Sequence, residues 1–181
     1  MPEHPSILIL GYSEAAMYLR QPEAAHVSAI VAIHGQREYS VETSRATHAL
    51  VLQFDDSEAP DETDLEQRAR YGIRRREAAE IGVILNPPTE EHARSIIEFA
   101  RRVGAINGVM LFQCLAGISR SPAAALLCLA EWTGAGHEHE CVEHILKLRP
   151  AAQPHRDLVR FGDKILAREG RLLSALDSLC P

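Results

Sequence analysis

The amino-acid sequence predicts an α/β fold with a central, largely parallel sheet and helices on both faces. Three observations lead to it. Short apolar runs of strand length alternate with helix-periodic stretches as far as Gln113, a loop of small and polar residues then joins a strand directly to a helix, and the remainder of the chain is helical in pattern.

Taken in order, residues 7–10 read as a first strand, 14–20 as a helix and 27–33 as a second strand, while 47–54 form a third strand that ends at Asp55-Asp56-Ser57. Residues 64–77 are strongly charged and helical in pattern. Their arginines at 68, 70, 74, 75 and 76 could steer an anion, but Glu66, Glu77 and Glu80 are spaced to pair with them, which suits a solvated face. Pro87-Pro88-Thr89 starts the next helix with a hydroxyl cap, and Ala93, Ile96, Ile97, Ala100 and Val103 mark its buried side. A buried strand follows over 109–113. Helices are predicted at 122–133, 138–148, 155–169 and 171–179.

The chemistry is concentrated in Cys114-Leu-Ala-Gly117-Ile-Ser-Arg120-Ser121, between the last strand and the helix that Pro122 opens. Unpaired N–H groups at a helix start favour negative charge. Gly117 leaves room for an anion, and the planar fork of Arg120 can bind two of its oxygens at once. The same field favours a thiolate at Cys114, and Ser121 is placed to donate a hydrogen bond to the sulfur. Cysteine, glycine, arginine and serine together at a strand-to-helix turn point to nucleophilic catalysis on a phosphate rather than to a cysteine that merely packs.

This segment resembles the signature loop of the cysteine-dependent protein tyrosine and dual-specificity phosphatases, written His-Cys-x5-Arg-Ser/Thr, and within that superfamily the chain looks like a bacterial tyrosine-phosphatase-like protein. The resemblance implies a protein tyrosine phosphatase-like fold and phosphomonoester hydrolysis through a phosphocysteine. It also implies a phosphate-binding loop of Leu115, Ala116, Gly117, Ile118, Ser119 and Arg120. The family takes its general acid from an aspartate on a separate loop. At the exit of the strand over 47–54, Asp56 is the first candidate and Asp55 its alternative, against the plain reading of both as an acidic turn. Gln113 replaces the family's histidine, which allows a weak enzyme or a phosphate-binding pseudophosphatase. Leu148-Arg149-Pro150 and Gln153-Pro154-His155 resemble the family's closing Arg-Pro and Pro-Asn positions, with His155 in place of asparagine. The long separation of Asp56 from Cys114 reads as an insertion over 58–88.

Other Cys-x5-Arg enzymes fit less well. In low-molecular-weight tyrosine phosphatases and arsenate reductases the loop lies near the N-terminus and an Asp-Pro pair follows late, whereas here the loop is central and no Asp-Pro follows. A rhodanese-like sulfurtransferase would have no use for an aspartate acid. The interior of the loop lacks the lysines with which phosphoinositide phosphatases grip polyanionic head groups, so a phosphorylated protein is the favoured partner, with a small phosphomonoester the alternative.

The 181 residues, 46% hydrophobic, suit one domain over 1–181 with a single core. Net charge of −6 argues against a nucleic-acid partner, and neither a membrane-spanning run nor a basic signal start is visible, so cytoplasmic is the default location. Cysteines 114, 128, 141 and 180 lack paired metal spacing and suit a reducing compartment. Cys128 reads as packing before it reads as a redox partner for Cys114. His137, Cys141 and His144 share a helical face, but Val142, Ile145 and Leu146 make that helix a core element and zinc wants four ligands. No metal or cofactor is expected. Oligomeric state is open.

Overall fold

The structure is a computed structural model that describes residues 4–58 and 64–180. Four parallel strands form one sheet in the order β1-β4-β2-β3: β1 Ser6–Gly11, β2 Val27–His34, β3 His48–Gln53 and β4 Val109–Cys114. The helices are α1 Tyr12–Tyr18, α2 Leu65–Glu80, α3 Glu90–Val103, α4 Arg120–Thr133, α5 Glu138–Leu148, α6 Arg156–Ile165 and α7 Arg171–Leu179, with a 3-10 turn at Pro22–His26. Residues 59–63 of the expected insertion lie outside the described residues.

Period-2 alternation sorts the strand side chains between two faces. Ile7 and Ile9 of β1, Ala29, Val31 and Ile33 of β2, and Met110 and Phe112 of β4 point into the larger core, which α3 to α7 cover. Ile30, Ala32 and Leu111 point the other way, under Ala15 and Leu19 of α1 and its extension. The second face is thinly covered over β3, where Ala49 and Val51 are exposed. Because β1 runs into α1 on one face and its neighbour β4 runs into α4 on the other, their carboxyl ends open a crevice between them, where ligands of open α/β sheets bind.

Helix α4 is the central element of the larger core: every residue from Arg120 to Ala130 is buried. On α3 the buried set is Ala93, Ile96, Ile97, Phe99, Ala100 and Val103, the face anticipated from periodicity with Phe99 added. Helix α2 has no buried residue. Arg70 pairs with Glu66 one turn away and Arg74 with Glu58, all exposed, so the arginine run is a solvated face in the fold.

Several helix boundaries shift by two or three residues from the sequence expectation, and one shifts by four. The helix anticipated over 155–169 ends at Ile165, because the Arg168 N–H bonds the Asp163 carbonyl and the Ala167 N–H bonds that of Lys164, a Schellman closure that puts Ala167 at φ 53°. Glycine is usual at that position, and its absence concealed the stop. Asp163 then accepts from the N–H groups of Gly170 and Leu172, seating α7 across the end of α6. Cys128 is fully buried on α4 with its thiol pKa pushed up by burial, and all four cysteines are free. No helix among the described residues is long and apolar enough to cross a membrane.

Gly162 brings α6 against α4 so closely that a Cβ there would lie 2.2 Å from Leu127 Cδ2, inside the core. Gly162→Ala is therefore expected to destabilise by about 1–2 kcal/mol, overpacking outweighing the gain in helix propensity, and to lower Tm by a few degrees in thermal unfolding.

Candidate active site

The segment from Cys114 to Arg120 is held as a loop by an almost complete accounting of its carbonyls. That of Cys114 accepts from Gln113 Nε2 at 2.8 Å, that of Leu115 from the Tyr12 N–H at 2.9 Å, and that of Ala116 from Arg149 Nη2 at 3.2 Å. Those of Ile118 and Ser119 accept from the N–H groups of Gln153, at 2.7 Å, and His155, at 3.2 Å. With the carbonyls tied outward, the loop's N–H groups turn inward. The Gly117 N–H, 3.3 Å from Cys114 Sγ, is one of them.

Two glycines make this closure possible. Gly117 has φ +71°, and a Cβ on it would stand 2.6 Å from the Gly11 nitrogen, while a Cβ on Gly11 would press to 3.0 Å from the Ala116 oxygen. The register that pairs Gly11 with Cys114 places the two turns in contact.

Cys114 is buried at the end of β4, and Ser121 Oγ donates to its sulfur at 3.2 Å. The Arg120 guanidinium lies below the loop with only 2% of its side chain exposed. Nη1 and Nη2 reach the two Glu38 oxygens at 2.8 and 2.9 Å, and Nη1 also bonds the Phe54 carbonyl at 3.0 Å. Nε–H is buried with no acceptor among the described residues. Burial works against the charge on both partners, but the mutual hydrogen bonds prevail: Glu38 titrates below the usual carboxylate range and Arg120 is held even more firmly protonated. Glu38 was not legible as a site residue. The available signal was its position just beyond the carboxyl end of β2, beside the crevice.

The two aspartates at the exit of β3 are separated by their partners. Asp56 Oδ1 accepts from Ser119 Oγ at 2.6 Å, so this carboxylate meets the loop. Asp55 Oδ2 accepts from the Asn86 N–H at 2.8 Å and the Asp55 N–H donates back to the Asn86 carbonyl at 2.7 Å, which ties Asp55 to the chain ahead of α3. Arg149, also unassigned in detail from sequence, bridges Ala116 to Glu14 of α1, with Nη1 to Oε1 at 3.0 Å. That bond, with a further one from the Gly11 N–H, lowers the Glu14 pKa. Gln113 Oε1 is buried without a partner among the described residues. Leu115 and Ile118 are exposed at the loop's mouth, as is Tyr39, whose ring centroid lies 6.0 Å from that of Tyr12. A cleft of about 660 Å³ starts at Asp56 and Ser119 and runs past His155 and Pro154 to Leu176 and Leu179 of α7. Among the described residues no group of three or more His, Cys, Asp or Glu is arranged to hold a metal ion.

The site makes a sharp electrostatic prediction. Glu38→Gln strands a buried guanidinium, and with the Glu38 side chain 22% exposed the expected loss at pH 7 is roughly 2–3 kcal/mol by urea unfolding. Since folding lowers the Glu38 pKa, its contribution is complete above its unfolded value near ~4.3 and vanishes as pH falls through the lower folded value. The stabilities of the wild type and of the Glu38→Gln variant should therefore converge in acid.

No protein-family model and no curated protein matches the sequence. Solved structures do match in fold. PTPMT1 in complex with PI(5)P superposes with a TM-score of 0.53 at 18% identity, over 91% of this chain and 94% of that one. The human tyrosine phosphatase-like serine/threonine/tyrosine-interacting protein gives 0.51 at 16% identity, over 90% and 91%. The Yvh1 phosphatase domain from Chaetomium thermophilum gives 0.51 at 18%, over 94% and 95%. The chain thus shares its α/β fold with these three solved structures, and in it Cys114 and Arg120 stand at the two ends of the loop between β4 and α4.

Proposed function

We propose that the protein is a cysteine-dependent phosphomonoester hydrolase acting on phosphorylated protein. The observation that carries this reading is the buried Arg120 Nε–H, without an acceptor among the described residues, in a loop whose carbonyls are tied outward around Cys114. A buried donor left unpaired costs free energy unless a ligand satisfies it, and a tetrahedral oxyanion in the loop would do so.

In the mechanism, Cys114 Sγ as thiolate attacks phosphorus, and the bond from phosphorus to the substrate oxygen breaks in line with it. Asp56, in its acid form, gives its proton to that departing oxygen. Arg120 and the loop N–H groups hold the remaining phosphoryl oxygens as charge redistributes, and Ser121 steadies the sulfur as nucleophile and then as leaving group. In the second half Asp56, now a carboxylate, takes a proton from water as the water oxygen bonds to phosphorus, releasing phosphate and the Cys114 thiolate. Asp56 is preferred to Asp55 because its carboxylate meets Ser119 of the loop, whereas Asp55 is occupied by Asn86. The apolar residues Leu115 and Ile118 at the mouth support an uncrowded protein phosphoester over a polyanionic head group.

Cys114→Ser should abolish release of phosphate from a phosphopeptide while preserving inorganic phosphate binding. Asp56→Asn should lower kcat roughly 100-fold or more for poor leaving groups, and Asp55→Asn far less. Phosphate binding by the wild type with no turnover would instead identify a binding module, and thiosulfate sulfur transfer exceeding p-nitrophenyl phosphate hydrolysis would identify a sulfurtransferase.

A further inference from the structure

We propose that His155 is a positioning residue that holds the Asp56 carboxyl over the phosphate loop; this rests on the reading of Asp56 as the general acid. The imidazole ties together two segments that the chain keeps far apart. Its Nε2 lies 3.1 Å from the Ser57 carbonyl, and because a carbonyl only accepts, Nε2 carries the proton. The backbone N–H of the same residue donates to the Ser119 carbonyl at 3.2 Å. A single residue at the entrance to α6 therefore grips the acid segment with its ring and the loop with its backbone.

The segment needs such a grip. Residues 54–58 belong to no helix or strand, and the Asp56 side chain is 46% exposed, so its bond to Ser119 Oγ competes with water. The His155 side chain is only 6% exposed, and a hydrogen bond shielded from water holds geometry better than one open to it. Nε2 also stands 3.8 Å from Asp56 Oδ1, the oxygen that Ser119 engages. Both neighbours thus converge on one carboxyl oxygen, and the other is the one left to carry the proton that the leaving group takes. Displacement of a catalytic group by about 1 Å can cost on the order of 100-fold in rate, so the fixing of Ser57 matters directly for Asp56.

The test uses a series of aryl phosphates whose phenols differ in acidity. His155→Leu removes the donor and should lower kcat about tenfold for phenyl phosphate, much less for 2,4-dinitrophenyl phosphate, with KM within about twofold. His155→Gln, whose amide nitrogen reaches a similar place, should recover most of the loss. In an Asp56→Asn background His155→Leu should add nothing, since there is no acid left to position. An equal loss on every leaving group, or additivity with Asp56→Asn, overturns the proposal while Asp56 stands as the acid. A flat leaving-group profile for Asp56→Asn alone overturns both, and circular dichroism of each variant separates these outcomes from misfolding.

Discussion

A guanidinium buried beneath a loop is the constraint around which the rest of the molecule is arranged. Arg120 is almost wholly removed from water at the first turn of α4, where its charge would be prohibitive without a partner. Glu38 beyond β2 and the Phe54 carbonyl beyond β3 provide the partners, so one side chain joins the exits of three parallel strands. Their parallel direction is what puts all those exits at the same edge. Nη1 gives both of its hydrogens and Nη2 one of its two to these partners, which orients the plane and leaves the buried Nε–H without an acceptor among the described residues.

The loop above it obeys a complementary rule. A backbone segment that presents N–H groups to an anion must dispose of its carbonyls elsewhere, and here they are taken by Tyr12, Gln113, Arg149, Gln153 and His155. Those partners come from the start of α1, from β4 itself and from the stretch between α5 and α6. The stretch between α5 and α6 thus does more than link two helices over the sheet: Arg149, Gln153 and His155 hold the carbonyls of the loop. The cost falls on close approach, since Gly11 and Gly117 meet without space for a side chain on either.

Legibility from sequence followed the range of the interaction. Helix α3 was readable because its buried residues recur at helical spacing and its cap precedes them, both local facts. Cys114, Arg120 and Ser121 could be grouped from sequence because a single turn holds them together, and in the fold Ser121 Oγ does meet Cys114 Sγ. The end of α6 was misread because Ala167 adopts a left-handed conformation normally marked by glycine, imposed by the Asp163 and Lys164 carbonyls and not by its own preference. Asp56 was preferred to Asp55 in sequence but the choice stayed open, since adjacent residues of the same type differ only in which way the chain turns them.

What the sequence determined by itself was the α/β pattern and the composition of the loop, because periodicity and short spacing are properties of neighbouring residues. What only the tertiary structure decided was the company the loop keeps: Glu38 on Arg120, Arg149 on Ala116, Asp56 rather than Asp55 at Ser119, and His155 astride two segments. Each of these contacts joins residues more than 30 positions apart. Nothing in local propensity encodes such meetings; they arise when strand register and helix packing bring the partners to one edge of the sheet.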